Sequence, residues 1–391
     1  MTPAARLQAA IEILDEVIAS ARDDGPPADV IVTRYFKTRR YAGSGDRRAV
    51  RELVFRAIRR SAERPDSGRA AIVGLARDDP QLPPLFGQVR GPAAIAEGEE
   101  GSPAAAVPSW LEPEISPLID RSEWPALLER APLDLRVNVA RADRDALIGQ
   151  FPGAQPTRVS PWGLRLPPDS RVDQHPAYAD GLVEVQDEGS QLVALACEPR
   201  EGERILDLCA GGGGKALALA AAAAGAQILA TDTNRSRLSK LPPRAAKAGA
   251  RIESRLLDMP RELEGLADWA DSADLVLVDA PCSGSGTWRR NPEGRWRLSP
   301  ERLERMVQLQ SRLLDIGAAM VRPGGRLVYA VCSILTREGE AQAADFLSRR
   351  SSWVAQETAI HAGRLTGVGR LLVPGQDGTD GFFVARLARP C

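Results

Sequence analysis

Four short strand-like segments that each run into an aspartate constrain this chain more than any other feature. Residues 204–208, 227–231, 252–257 and 275–278 read as strands, and Asp207, Asp232, Asp258 and Asp279 stand at or beside their ends. The Leu-Val-Leu-Val run at 275–278 shows no polar alternation, the pattern of a parallel strand buried on both faces. Helical stretches at 215–224, 235–248 and 301–320 separate the strands, with a break or kink expected at Pro242 and Pro243. Residues 326–331 and 382–387 add further strands. Such alternation predicts an α/β fold on a doubly wound, mostly parallel sheet. Ligands in these sheets bind beyond the carboxyl ends of the strands, so the aspartates mark one rim.

At 391 residues the chain is long enough for two or three folded units. Residues 1–80 predict a helical region, with Leu7, Ile11, Leu14 and Ile18 at helical spacing and Val50, Val54 and Ile58 repeating it in a second helix that Ser44 and Asp46 could cap. Between residues 34 and 60 basic side chains far outnumber Asp46 and Glu52 and are interleaved with Tyr35, Phe36, Tyr41 and Phe55. The plain reading is a solvated helix face, and the alternative is an RNA-backbone contact. Residues 81–125, rich in Pro, Gly and Ala, predict a linker. Alternation at 133–139, a helical stretch at 143–151 and a strand at 162–166 predict a small α+β module over 126–184, leaving 185–391 for the main sheet.

The formal net charge of -1 gives no global attraction for nucleic acid, so any basic surface must be local. The alanine-rich 216–226 segment is too short and too weakly apolar to span a bilayer, so no membrane partner is expected. Five cysteines without CxxC spacing and two histidines argue against a disulfide framework or a metal site, and for a cytoplasmic protein.

The strand at 204–208 runs into Cys209-Ala-Gly-Gly-Gly-Gly-Lys215 and then a helix. Glycines there permit close backbone approach, and the helix start offers unpaired N–H groups. A loop of this kind can hold the pyrophosphate of a nicotinamide cofactor, with Asp232 on the ribose. Asp207, however, would repel a pyrophosphate and suit a cation-bearing amino-acid cofactor such as S-adenosylmethionine. Singly, each aspartate could be no more than a turn or cap residue.

Cys282 and Cys332 each follow a buried strand, and their strands end on the same side of the sheet. A lone cysteine is commonly just a small buried hydrophobe. Two thiols beside Asp279 and a sulfonium cofactor have a specific use, because a thiolate added at carbon 6 of a pyrimidine makes carbon 5 nucleophilic enough to take a methyl group. Gly284 and Gly286 would allow close backbone approach to a ligand.

The segments Asp207-Leu-Cys-Ala-Gly-Gly-Gly-Gly-Lys215, Asp279-Ala-Pro-Cys-Ser-Gly-Ser-Gly286 and Tyr329-Ala-Val-Cys-Ser333 resemble three signature motifs of the RsmB/Sun type of RNA cytosine 5-methyltransferase. Val185 to Leu192 resembles that family's entry into its catalytic domain, and Asn291 to Trp296 its continuation after the Pro-Cys motif. The resemblance covers about residues 130 to 391, and the N-terminal helices are similar to the family's NusB-like RNA-binding part. It implies a class I methyltransferase-like sheet, an RRM-like small module before it, and S-adenosylmethionine as cofactor.

By the same resemblance, Cys332 is the nucleophile, Cys282 helps release the product, and Asp279 contacts cofactor and base. The cofactor site implied is Asp207, Cys209, Ala210, Gly211, Gly212, Gly213, Gly214, Lys215, Asp232 on the ribose, Asp258 near the adenine, and Asp279. The target cytosine would be flipped out or lie in a loop, with Arg289, Arg290, Arg295 and Arg337 as candidate phosphate contacts. Glycines stand where the family usually has Ala-Pro, and Val331 where it usually has Thr. The substrate implied is 16S ribosomal RNA, with transfer RNA as the alternative, and the expected state is a monomer. Competing readings are a nicotinamide oxidoreductase, which leaves both cysteines idle, an adenine amino-methyltransferase, which needs an aromatic at position 282, and a silent ribosome-assembly factor.

Overall fold

A computed structural model describes residues 1–167 and 170–391. The chain forms two compact units, one made of residues 1–115, 119–130 and 287–300, the other of 116–118, 131–286 and 301–391.

The first unit is built on four helices, α1 (Pro3–Arg22), α2 (Ala28–Lys37), α3 (Ser44–Arg60) and α4 (Gly68–Asp78). The Thr2 hydroxyl accepts from Ala5 N at 3.2 Å and Pro3 fills the first helical position, so α1 starts where no intrahelical N–H is needed. At the start of α3 the cap is Gly43, not Ser44, and the Asp46 carboxylate accepts from Gly43 N at 3.2 Å. The same carboxylate takes the Met1 ammonium at 3.0 Å and Arg6 Nε at 2.9 Å, which fastens α3 to α1. Two of the helices, α2 and α4, were not expected. In α2 the apolar spacing of Ile31, Val32, Tyr35 and Phe36 is interrupted by basic residues that face outward.

Residues 81–115 are a further correction. In place of a loose linker they are folded onto the helices, with Leu82, Phe86, Val107, Leu111 and Ile115 buried. Ser102 N donates to Ala70 O at 2.9 Å, Ala105 N to Arg60 O at 3.0 Å, and Arg69 pairs with Glu99 at 2.6 Å. The prolines prevent regular helix, but they do not prevent burial.

Within the second unit, β1 (Leu133–Val137), β2 (Gln155–Pro156), β3 (Gly163–Leu166) and β4 (Val183–Val185) form an antiparallel sheet in the order β2-β3-β1-β4. With α5 (Arg144–Ile148) and α6 (Pro176–Ala179) it encloses Leu135, Val137, Leu147, Phe151 and Leu164.

The main sheet holds β5 (Arg204–Asp207), β6 (Gln227–Asp232), β7 (Ile252–Leu256), β8 (Ala273–Asp279), β9 (Val321–Val331), β10 (Val354–Gln356), β11 (Arg364–Leu365), β12 (Arg370–Leu372) and β13 (Phe382–Ala388). Its order is β11-β12-β13-β9-β8-β5-β6-β7, with β10 also paired to β13. The five strands β9, β8, β5, β6 and β7 run parallel, and β13 returns antiparallel to β9. Helices α7 (Glu188–Ala196), α8 (Gly214–Ala222), α9 (Arg235–Leu238), α10 (Leu241–Ala248), α11 (Glu262–Gly265), α12 (Pro300–Met320), α13 (Glu340–Arg349) and α14 (Pro374–Asp377) complete the unit. Pro242 and Pro243 lie in the first turn of α10, so the expected break falls between α9 and α10. Among the described residues, no helix is long and apolar enough to cross a membrane.

Candidate active site

Parallel register brings the tips of β9, β8, β5 and β6 to one edge. Asp279 is opposite Ala330, Asp207 is opposite Leu277 on one side and Ala230 on the other, and Asp232 lies two residues beyond Ala230. The loop after β5 is held there by its backbone, Leu208 N donating to Leu277 O at 2.9 Å and Ala210 N to Thr231 O at 2.8 Å. Gly211 at φ +56° and Gly213 at φ +82° take left-handed conformations, and a Cβ on Gly213 would meet Leu241 Cδ1 at 2.2 Å. Glycine is therefore required at 213 by both space and backbone. The Asp232 carboxylate accepts from Gly211 N at 2.8 Å and Asn234 N at 2.6 Å, which orients it at the loop.

Asp207 is 1 % exposed and neither of its carboxylate oxygens has a hydrogen-bond partner in the structure. Burial, and then the nearby charge of Asp279, push its carboxyl up to about 7. Lys215 Nζ binds Asp279 Oδ2 at 2.7 Å, and although burial opposes its charge, that carboxylate holds the ammonium above its ordinary value. Cys209, on the same loop, has its thiol raised well above normal by burial and by Asp207. Asp258 differs from the others: its side chain is 75 % exposed, with Arg261 at 3.9 Å.

Two residues that sequence reasoning passed over, Arg136 and Arg244, grip the loop. Buried Arg136 on β1 donates to Gln186 Oε1 at 2.5 Å and to Gly214 O at 2.6 Å. Arg244 on α10 donates to Gly212 O and binds Glu184 of β4 at 2.9 Å. The only sequence signal was an arginine and a glutamate inside short strands of an otherwise apolar module.

Beyond β8 and β9 the chain brings the two cysteines together. Ala280 N donates to Ala330 O at 2.9 Å, Gly286 N to Cys332 O at 3.0 Å, and the Cys282 and Cys332 sulfurs lie 3.4 Å apart. The hydrogen bond to Cys332 and burial raise the Cys282 thiol well above its usual value. Glu338, fully buried just after Cys332, receives Ser283 N at 2.8 Å, Gln310 Nε2 at 3.0 Å, Ser333 Oγ at 2.6 Å and Ser283 Oγ. Gly286 serves packing: a Cβ there would meet Gly381 O at 2.0 Å. The expectation that it makes room for a ligand is corrected accordingly.

The arginines divide. Arg295 is 1 % exposed and donates to Ile58 O at 2.6 Å, Ala106 O at 2.7 Å and Pro292 O at 3.0 Å, all within the helical unit. It is a structural tie and not a phosphate contact, and Arg289, 7 % exposed, is likewise withdrawn from the surface. Arg290 is partly exposed, and Arg337 contacts Glu304 with 39 % of its side chain exposed. Among the described residues no group of three or more His, Cys, Asp and Glu is placed to hold a metal ion.

Residues 194–388 match the family model described as 16S rRNA methyltransferase RsmB/F. Ribosomal RNA small subunit methyltransferase B of Xylella fastidiosa (strain Temecula1 / ATCC 700964) is 36% identical over 299 residues, 73% of this chain and 67% of the relative. The protein of the same name from Enterobacter sp. (strain 638) is 33% identical over 303 residues, 75% of this chain and 69% of the relative. The crystal structure of PH0851 aligns with a TM-score of 0.77 at 22% identity over 99% of both chains. NSun6 from Pyrococcus horikoshii with SFG aligns with a TM-score of 0.58 at 20% identity, over 68% of this chain and 92% of that one. Both have the same fold.

Proposed function

Because the chain belongs to the RsmB/F family of RNA methyltransferases, we propose that it methylates carbon 5 of a cytosine in RNA, using S-adenosylmethionine and a covalent bond from Cys332 to carbon 6. The observation that carries this reading is the 3.4 Å approach of the Cys282 and Cys332 sulfurs at the edge that also holds Asp279. Direct hydride transfer between a nicotinamide and a substrate would leave that pair idle.

The donor set fits S-adenosylmethionine. A buried carboxylate with two unsatisfied oxygens at Asp207 suits a cationic ligand, and Asp232, oriented by Gly211 N and Asn234 N, suits ribose hydroxyls. When bound, the cofactor supplies an electrophilic methyl group on a sulfonium. Cys332 attacks carbon 6 as a thiolate, and the carbon 5–carbon 6 π electrons become available at carbon 5. Asp279 holds the polar edge of cytosine, and Lys215 fixes the Asp279 carboxylate through its 2.7 Å contact. After methyl transfer the carbon 5 proton passes to water acting as base, its electron pair re-forms the double bond, and the Cys332 sulfur is expelled as a thiolate. Cys282, touching that sulfur, assists this release.

The relatives' names favour small-subunit ribosomal RNA as substrate. Reaching a stacked base requires flipping it out, and Arg290 and Arg337 are proposed as phosphate contacts. The test is incubation of purified chain with methyl-tritiated S-adenosylmethionine and either small-subunit ribosomal RNA or transfer RNA, followed by nucleoside separation. Label in 5-methylcytidine, abolished by Cys332→Ala, is expected. Label in methyladenosine, or none in any nucleoside, would overturn the reading.

A further inference from the structure

Glu338 lies on neither strand tip, yet it connects both. Its Oε1 accepts from Ser283 N at 2.8 Å and Gln310 Nε2 at 3.0 Å, and its Oε2 from Ser333 Oγ at 2.6 Å and from Ser283 Oγ. Ser283 directly follows Cys282, and Ser333 directly follows Cys332. A carboxylate that is 0 % exposed is expensive to bury unless several donors meet it, and here three of the four donors come from the two segments that carry the thiols, the fourth being Gln310 of α12. Other bonds extend the network. Gln310 also donates to Pro281 O at 2.9 Å, Ser285 and Ser333 share a hydroxyl contact at 2.9 Å, and Tyr329 OH donates to the Glu338 carbonyl at 2.5 Å.

We propose that Glu338 is a positioning residue for methyl transfer, its carboxylate tying Ser283 to Ser333 and so fixing the Cys282 and Cys332 sulfurs within their 3.4 Å contact. The proposal rests on the two-thiol reaction described above. The charge of Glu338 also adds, behind the Cys332 hydrogen bond and burial, to the raising of the Cys282 thiol. Losing that charge would therefore make Cys282 ionise at lower pH. The cofactor loop has no hydrogen bond to Glu338, so the effect belongs to the thiols and not to cofactor binding.

Glu338→Gln keeps the shape but offers one acceptor oxygen in place of two. The experiment compares it with the native chain in four respects: thermal unfolding, S-adenosylmethionine affinity, single-turnover methyl transfer, and the pH profile of iodoacetamide alkylation at Cys282, read by peptide mass. The expected result is unchanged cofactor affinity, methyl transfer slower by on the order of 100-fold, and a Cys282 alkylation profile moved to lower pH. A transfer rate within about threefold of native, or a loss matched by an equal loss of cofactor affinity, would overturn the proposal. If Glu338→Gln fails to fold, Ser333→Ala decides. A roughly tenfold slower transfer at unchanged cofactor affinity supports the tie, and a native rate refutes it. Native chain that transfers no methyl group at all would instead refute the underlying reaction.

Discussion

Asp207 carries the clearest pH signature in the molecule. Burial comes first and the charge of Asp279 second in pushing its carboxyl up to about 7, above its usual value near about 4. A carboxyl raised this way keeps its proton in the folded chain between about pH 4 and 7 while the unfolded chain has lost it. Its contribution to stability is therefore full at low pH and fades as pH rises through about 7. A cationic ligand acts in the opposite sense and favours the ionised form. Affinity for S-adenosylmethionine is expected to fall below about pH 7, by up to about tenfold per unit, and Asp207→Asn to flatten that dependence. Calorimetric titration between about pH 5 and 8 checks this, and a flat native profile would contradict it. Asp207, Asp232, Asp279 and the two cysteines were legible in the sequence because each stands at or shortly after the end of a recognisable strand-like run. Glu338 and Arg295 were not, since a polar letter in an irregular segment reads the same whether solvated or buried among acceptors.

At the scale of elements, the glycine loop is held by side chains from the small antiparallel sheet and from α10. Arg244→Ala removes the donor to Gly212 O and leaves Glu184, a buried carboxylate, without its 2.9 Å partner. The expected outcome is roughly tenfold weaker cofactor binding, equivalent to about 1.4 kcal/mol, with little change in the rate of transfer at saturating cofactor. Equilibrium binding and single-turnover assays separate the two. Strands β5, β6, β8 and β9 were readable from their apolar runs and β7 from its place in the strand–helix alternation, whereas α2 was masked by Arg34 and Lys37 on its outer face. The proline pair at the start of α10 was correctly seen as incompatible with one continuous helix, because a helix interior needs the N–H that proline lacks. The grip on the loop was hidden because it joins residues far apart in the chain, such as Arg136 and Gly214, which no local pattern connects.

The molecule as a whole is discontinuous in sequence. After Gly286 the chain leaves the second unit, contributes residues 287–300 to the helical one, and returns at Glu301. Trp296, 3 % exposed, packs in the helical core with its Nε1 donating to Ser61 O at 2.8 Å. Trp296→Ala is expected to cost about 3–5 kcal/mol and to lower the thermal midpoint, measured by circular dichroism. Composition misled at this scale, since proline and glycine density at 81–115 described irregular backbone and not absence of a core. The basic stretch of α2 and α3 is also narrower than its letters: Arg34, Arg39, Arg56 and Arg60 pair with Glu16, Glu12, Asp79 and Asp78. Arg40, Arg48 and Arg51 are exposed, and if they meet RNA, Arg48→Glu with Arg51→Glu lowers affinity and reduces the slope of log affinity against log salt by about 2. The central claim, that two thiols divide one reaction, is tested most directly with Cys282→Ala incubated with RNA and S-adenosylmethionine and run on a denaturing gel. The account predicts a retarded protein–RNA adduct whose cross-linked peptide contains Cys332 and which vanishes in the double alanine variant. Full methyl transfer with no adduct, or a cross-link at any other residue, would contradict it.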